Sequence, residues 1–324
     1  MLAPASLHSF LQAVSNFFDN LASVSWGALA IGLLCFGANA TIRSRAYFNV
    51  LRAALPTSVF RWRTIWGAYV AGFGINQVIP ARAGDVVKVF LTKNAVPQAT
   101  YPTVAATYTV ELIFDNFMAI LVLTFAFTQG VFPKPPDFSK LGAFDLSYLA
   151  SHPRFTLFLL TLLGVLTLVA FALLSMRVRA FWARVKQGYT ILRDRRRYLR
   201  QVAALQFVGW LFRGAAIWAL LEAFHIGGSV RNVLLVLGVF AVSSVVPLTP
   251  SGAGVQQALL VKIFAGAAAP AAVAAYSVGQ EIALAAFSFA LGLAALFFIF
   301  RVRSFREVIR AGRDERAAAE AGAG

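Results

Sequence analysis

The chain has 324 residues, of which 59% are hydrophobic, and its mean hydropathy is +0.73. Soluble domains carry about 45–50% apolar residues and interrupt their apolar runs, so this composition excludes an ordinary soluble protein. The formal net charge of +16 would suit nucleic acid, but 20 of the 29 Lys and Arg residues lie in three blocks, 43–63, 177–200 and 301–316. Such blocks beside apolar runs are typical of cytoplasmic loops facing anionic lipid, so we expect no nucleic-acid partner.

Five apolar segments reach the length of about 20 residues that crosses a hydrocarbon core of roughly 30 Å. Residues 1–20 contain no Lys or Arg and are predicted to form an exterior segment. Residues 301–324 are predicted to form a basic cytoplasmic tail with a disordered end. The protein is therefore expected to be a multi-pass protein of the cell (inner) membrane, with its N-terminus outside and its C-terminus cytoplasmic. In chain order the predicted spans are 21–40, 102–127, 155–176, 202–224 and 271–300.

Two pairs of shorter segments are predicted to enter the bilayer and return. Residues 64–79 and 81–93, joined at Pro80, measure about 24 and 20 Å at 1.5 Å per residue, too short for a crossing. The basic blocks stay on one side only if this pair leaves on the face where it entered. The same requirement, that the basic blocks share one side of the membrane, predicts a second hairpin at 231–266 on the outer face. Non-helical backbone at this depth must be satisfied by protein or by a polar cavity, so the turns are expected to line a cavity.

The two predicted turns match each other at an offset of 170 residues. Pro80-Ala-Arg-Ala-Gly84 corresponds to Pro250-Ser-Gly-Ala-Gly254, and the same offset relates Glu111 to Glu281. The counterpart of the first span is the fourth, three spans further along the chain, so the second copy is inverted, an architecture common among transporters. Five residues are predicted to shape the two turns: Pro80, Gly84, Pro250, Gly252 and Gly254.

These observations predict an all-α polytopic membrane protein with an inverted repeat, two re-entrant helical hairpins and about five full transmembrane spans. A single membrane domain is expected at residues 21–300. Its halves are expected at about 21–128 and 202–300, linked by residues 129–201.

Charged side chains in the first hairpin and in the following helix form the main candidate site. A charge at the bilayer centre costs roughly 2.5–3.5 kcal/mol on insertion scales, so it is retained where it pairs or functions. Arg82, Asp85 and Lys88 lie broadly along one side of a helix, and Arg82 and Lys88 can bind a phosphate. An internal network that only holds the hairpin together is the alternative. Glu111 and Asp115 share a helix face, and are expected either to pair with Arg82 and Lys88 or to form a proton relay.

The second hairpin carries fewer charges and more amides. Cys35 is alone, the three His residues lie far apart, and no Ser-His-Asp or Cys-His arrangement is visible, so we predict no catalytic residue, no metal and no cofactor. The predicted substrate-binding residues of both halves are Asn76, Arg82, Asp85, Lys88, Glu111, Asp115, Gln256, Gln257 and Glu281.

Three motifs occur in order: INQVIPARAGDVVKVFL, VELIFD and VVPLTPSGAGVQQALL. Together they resemble the lysylphosphatidylglycerol synthase transmembrane (flippase-like) family over about residues 20–300. The resemblance implies a multi-pass lipid-handling domain, which is seen elsewhere as the flippase portion of aminoacyl-phosphatidylglycerol synthases. Two positions depart from the family pattern: Leu112, where members often have Arg, and Gln257, where an acid is usual. The soluble aminoacyl transferase domain is not in this sequence, so synthesis of aminoacyl lipid is not expected. The family pattern carries over to Pro80, Arg82, Gly84, Asp85, Lys88, Glu111 and Asp115.

The expected function is that of a lipid translocase, transporter or lipid-binding membrane protein. It would move or hold a phospholipid or polyprenyl-type head group in a midplane polar cavity, with membrane lipids, an anionic phospholipid or a lipid-linked phosphate, as partners. Two alternatives stay open. One is a membrane-embedded transferase acting on a lipid-linked substrate, with Asp85, Glu111 or Asp115 as base, and the other is a membrane scaffold.

Overall fold

The computed structural model describes residues 23–79, 83–129, 182–243, 255–265 and 268–301. Within these ranges the chain is helical and contains no β-strand, which confirms the all-α prediction. The exterior segment 1–20, the predicted span 155–176, most of the predicted tail and the tips of both hairpins lie outside the described residues. The main helices are α1 Trp26–Ala54, α2 Trp62–Val78, α3 Ala83–Ala95, α4 Tyr101–Thr128, α5 Arg195–Ala223, α6 Val230–Ser243, α7 Val255–Ile263 and α8 Pro270–Phe298.

Four of these helices, α1, α4, α5 and α8, are long and apolar enough to cross a membrane. They coincide with four of the five predicted spans, so the protein is a multi-pass membrane protein. The helix α5 begins with one turn, Arg195–Tyr198, and a π-helical segment, Leu199–Ala203, before its regular part. A short helix at 182–188 and a 3-10 turn at Thr190–Arg193 precede it.

The helix α1 is longer than the predicted span 21–40, because residues 41–54 continue its packing face. Tyr47 and Leu51 on that extension are fully buried. The helix ends at Ala54, because Leu55 precedes Pro56 and a residue before proline disfavours the helical conformation. Arg43 therefore lies within a packed helix, and its assignment to a cytoplasmic loop from the basic block was wrong.

The helices α2 and α3 form an antiparallel pair, as the first hairpin requires. They have 17 and 13 residues, or about 25 and 20 Å at 1.5 Å per residue, less than a full crossing. Gly72 lies directly against Gly84, and a methyl group on Gly84 would overlap the Gly72 carbonyl oxygen. Glycine at both positions lets the two backbones touch. The shorter helices α6 and α7 contact each other in the second half, and entry of either pair into a bilayer stays a prediction.

Helix bounds recur along the chain at nearly the predicted offset. The helices α1 and α5 each have 29 residues, and they begin at Trp26 and Arg195, 169 residues apart. The helices α4 and α8 end at Thr128 and Phe298, 170 residues apart. An internal repeat predicts that helix ends recur in this way. The division of the chain into two halves stays a prediction.

The helices α1 and α5 pack side by side and antiparallel. Asn39 Nδ2 donates to the Gly209 carbonyl oxygen at 3.0 Å, and these two residues are themselves 170 apart. Before this contact along α1, Gly32 lies against Leu220, which follows it along α5. A contact between equivalent positions is what a two-fold axis between inverted halves predicts.

Candidate functional site

Glu111 on α4 is the centre of a buried ionic cluster. Its Oε1 accepts hydrogen bonds from Arg43 Nη2 at 2.8 Å and Arg43 Nε at 3.2 Å, and from the Tyr69 hydroxyl. Its Oε2 accepts a bond from Lys88 Nζ at 3.2 Å. Glu111 is 1% exposed, and a carboxylate buried this deeply is tolerated only when it is paired and hydrogen-bonded. The carboxylate therefore ties α1, α2 and α3 to α4.

Asp115 extends this arrangement by one helical turn. Its Oδ2 accepts a bond from Arg43 Nη2, and its Oδ1 accepts one from Trp210 Nε1 on α5 at 3.0 Å. Arg43 therefore bridges both carboxylates of α4. We call Arg43, Tyr69, Lys88, Glu111 and Asp115 the Glu111 cluster. Its two cations and two carboxylates balance.

Aromatic rings enclose the Lys88 ammonium on its remaining sides. Lys88 Nζ lies 3.8 Å from the ring centroid of Tyr108, 4.6 Å from that of Tyr69 and 4.9 Å from that of Tyr47. Ring faces attract cations, and most strongly where water is excluded. Lys88 is 5% exposed, so its charge interacts with groups inside the protein.

Asp85 and Asn76 fix the start of α3 against α2. Asp85 Oδ1 accepts a bond from Asn76 Nδ2 at 2.8 Å, and Asp85 Oδ2 accepts one from the Tyr108 hydroxyl at 2.7 Å. The Asn76 Oδ1 accepts a bond from the Gly84 backbone N–H at 2.8 Å, one of the donors that a helix start leaves without an intrahelical partner. An acidic side chain in the first turn also suits the helix dipole.

The predicted pairing is present in part. Glu111 pairs with Lys88 as predicted, whereas Asp115 pairs with Arg43. Arg82 and Pro80 lie outside the described residues. Reasoning from the sequence missed Arg43, which the offset of 170 pairs with Arg213 in the middle of another span. It also missed Trp210, whose place beside Asp115 depends on the crossing of α1 and α5.

A cavity lies beside the crossing, lined by residues of α1, α2 and α5 to α8. Its apolar wall includes Phe36, Leu220 and Leu284. Two of its polar residues, Gln77 and Gln256, lie close in sequence to the tips of the two hairpins. Polar and apolar groups therefore share one space where three predicted spans and both predicted hairpins converge. The polar side chains on its wall are Gln77, Arg213, Gln256, Gln280 and Glu281.

The second-half polar residues are not neutralised as the Glu111 cluster is. Gln257 Nε2 donates to Glu281 Oε2 at 2.6 Å, so Gln257 orients a carboxylate of the cavity wall. Gln280 is 1% exposed, and neither of its amide atoms has a hydrogen-bond partner among the described residues. Gln256 and Glu281, both predicted site residues, thus line the cavity. The predicted turn residues Pro250, Gly252 and Gly254 lie outside the described residues.

The two groups of residues differ in what they can do chemically. The Glu111 cluster has its donors and acceptors turned toward one another. The cavity wall presents a guanidinium, amides and a carboxylate beside apolar surface. Within the described ranges, no three His, Cys, Asp or Glu side chains come together to hold a metal ion.

The family comparison agrees with the resemblance of the three motifs. The sequence model described as the lysylphosphatidylglycerol synthase TM region matches residues 3–292, which include every helix from α1 to α7 and most of α8. No curated protein and no solved structure matches the chain. Because the match covers most of the sequence, the chain belongs to the lysylphosphatidylglycerol synthase TM region family.

Proposed function

We propose that the protein binds the head group of a membrane lipid in the cavity beside the crossing of α1 and α5 and moves it across the membrane. Membership of a family named for the membrane region of a phospholipid synthase ties the chain to lipid metabolism or transport. The observation that carries the proposal is the cavity wall, where polar side chains and apolar surface line one space.

A lipid head group needs polar partners at every depth, because hydrocarbon offers none. The amides of Gln256 and Gln280 and the charges of Arg213 and Glu281 can replace water around it. The apolar wall, with Phe36 among its residues, can contact the glycerol backbone and the first acyl carbons. This combination of a mostly apolar pocket with a few convergent polar groups is typical of ligand sites.

Gln280 gives independent support for a polar occupant. A buried amide without hydrogen bonds is disfavoured by about 1–3 kcal/mol in proteins. Within the described part of the chain, Gln280 is such a residue on the cavity wall. An occupant that hydrogen-bonds to Gln280, such as a head group or its water, would remove this penalty.

The transferase alternative lacks comparable support. A general base must reach the proton it removes. Among the described side chains, Glu111 accepts bonds from three, Asp115 from two, and Asp85 from two. These carboxylates hold helices together, which favours transport over chemistry on a lipid.

Dithionite quenching in vesicles tests the proposal. The full chain is reconstituted into phosphatidylethanolamine–phosphatidylglycerol vesicles containing phosphatidylglycerol labelled with a fluorophore on one acyl chain, with labelled phosphatidylethanolamine in a parallel set. Dithionite quenches outer-leaflet label only. We expect the protein to make inner-leaflet label accessible as lipid crosses. Quenching that stops where protein-free vesicles stop, for every labelled lipid, would refute translocation.

Two glutamines provide a matched pair of variants for the same assay. Gln280 and Gln206 are both buried and both lack amide partners within the described residues, but only Gln280 lines the cavity. We expect Gln280→Leu to slow lipid transfer at least tenfold and Gln206→Leu to leave it unchanged. Equal transfer rates for the two variants would show that lipid does not pass through this cavity.

A further inference from the structure

Arg213 and Arg43 occupy equivalent places in the two predicted halves. They are 170 residues apart, the separation of Asn39 and Gly209, which contact each other where α1 and α5 cross. Arg43 lies one turn beyond Asn39, and Arg213 lies one turn beyond Gly209. Two arginines thus flank one crossing point from opposite directions.

Their surroundings differ in the carboxylates that contact them. Arg43 pairs with Glu111 and Asp115. The offset of 170 turns Glu111 into Glu281 but turns Asp115 into Ala285. The second half therefore lacks the acid that completes the pairing of Arg43.

Arg213 makes no ion pair and no hydrogen bond with any described residue. Its guanidinium carbon lies 5.3 Å from the centroid of the Trp210 ring. Asp115 attracts it through space while Arg43 repels it. A cation at membrane depth without a contacting counter-ion is disfavoured and is a functional residue by default.

The cavity around Arg213 suits a phosphodiester. A guanidinium presents five donors in a planar fork that matches two phosphate oxygens. The amide of Gln280 on the same wall has no partner among the described residues and can add a donor. The apolar residues Leu220 and Leu284 on that wall suit the hydrocarbon next to a lipid phosphate, which a free phosphate lacks.

We infer that Arg213 binds the phosphodiester of a membrane phospholipid in this cavity, and that the Glu111 cluster takes no part in holding the phosphate. The inference rests on the proposed function for the choice of a lipid, and it adds the binding residue and the chemical group. The sequence predicted that Arg82 and Lys88 bind the phosphate, whereas this inference places the phosphate at Arg213 in the second half.

Binding of short-chain lipids to the detergent-purified full chain tests this inference by calorimetry. The probes are dihexanoylphosphatidylglycerol, dihexanoylglycerol, which lacks the phosphate, and inorganic phosphate, which lacks the chains. We expect the phospholipid to bind at least tenfold more tightly than either of the other two. Arg213→Gln should weaken its binding at least tenfold, and Arg213→Lys should weaken it less. The control is Arg45→Gln, an exposed arginine whose guanidinium also lies over a tryptophan ring, that of Trp62, and it should bind as the wild type does.

A second variant tests the inference without removing the arginine. Ala285→Asp supplies the acid that the second half lacks, so it should pair with Arg213 and weaken phospholipid binding at least tenfold. Unchanged binding in either Arg213→Gln or Ala285→Asp overturns the inference, and so does equal affinity for inorganic phosphate and phospholipid. If Arg213→Gln does not fold, Ala285→Asp and Arg213→Lys decide.

The binding assay and the vesicle assay fail separately. Arg213-dependent phospholipid binding by a protein that moves no lipid would uphold this inference and refute translocation. Lipid transfer at the wild-type rate by Arg213→Gln would uphold translocation and overturn this inference.

Discussion

The two predicted halves each have an arginine at equivalent positions, and the surroundings of these two arginines are opposite. In the first half Arg43 lies between Glu111 and Asp115, and Lys88 completes a balanced cluster. In the second half Arg213 faces a cavity and contacts only the Trp210 ring among its described charged and aromatic neighbours. On the predicted repeat, equivalent positions thus form an internal ionic lock in one half and an open cationic surface in the other. Two positions differ: Asp115 corresponds to Ala285, and Glu281, which corresponds to Glu111, accepts a bond from Gln257 instead of from an arginine.

Buried polar groups divide between the halves in the same way. Among the described residues, buried side-chain atoms without a hydrogen-bond partner are more numerous in the second half. Unpaired polar atoms reduce stability unless something satisfies them, so the second half is the part expected to gain most from a ligand. They belong to Tyr47 and Thr92 in the first half, and to Gln206, Ser243, Tyr276, Gln280 and Ser288 in the second.

Replacing the glutamate of each half should break this comparison most sharply. Glu111→Gln leaves Arg43 and Lys88 buried with half of their negative partners, and removing one partner of a buried ion pair costs about 3–5 kcal/mol. Glu281→Gln should cost about 1 kcal/mol or less, because its described partner is the neutral Gln257 amide. The free energy of unfolding in mixed micelles measures both.

The pair of glutamate variants also separates stability from function. Glu281→Gln should retain the fold while altering phospholipid binding, since Glu281 lies on the cavity wall. If both glutamate variants lost the same free energy of unfolding, the Glu111 cluster would not be what holds α1 to α4 together.

The close contact between α2 and α3 should give a smaller effect than the loss of Glu111. Gly84→Ala places a methyl group onto the Gly72 carbonyl oxygen, and overpacking of this kind costs about 1–3 kcal/mol. The matched control is Gly27→Ala, because no atom lies within 4 Å of a methyl group there. It should be neutral or stabilising, since alanine favours helix over glycine. Unfolding in mixed micelles compares them, and equal losses would contradict the close packing of the hairpin.

The sequence predicted the helical class, four of the described spans and the pairing of Lys88 with Glu111, because span length and charge at membrane depth follow simple rules. It could not place Arg43, since a basic block beside an apolar run looks the same whether it forms a loop or extends a helix. The contact of Trp210 with Asp115 joins residues 95 apart and depends on how α5 crosses α1. The tips of both hairpins, with Arg82 and Gly252, stay predictions.

Trp210 of α5 donates a hydrogen bond to Asp115 of the Glu111 cluster. Its replacement tests how much a charged acceptor contributes in comparison with a neutral one. Trp210→Phe removes a hydrogen bond to the Asp115 carboxylate, and bonds to charged groups contribute about 1.5–3 kcal/mol. The control is Trp66→Phe, which removes a bond to the Thr41 hydroxyl at 3.0 Å, with an expected loss of about 1 kcal/mol. A smaller loss for Trp210→Phe in unfolding measurements would show that Asp115 does not need its second donor.

The crossing itself should give the smallest effect. Asn39→Ala removes the bond from Asn39 to the Gly209 carbonyl oxygen, which already serves as a helix acceptor, so we expect a loss of about 1 kcal/mol. Asn49→Ala, which removes a similar but exposed bond to a backbone carbonyl of α5, should lose less. Because a two-fold axis at Asn39 would position both arginines equally, Asn39→Ala should weaken the Glu111 cluster and phospholipid binding together. An effect on phospholipid binding alone would place the axis elsewhere.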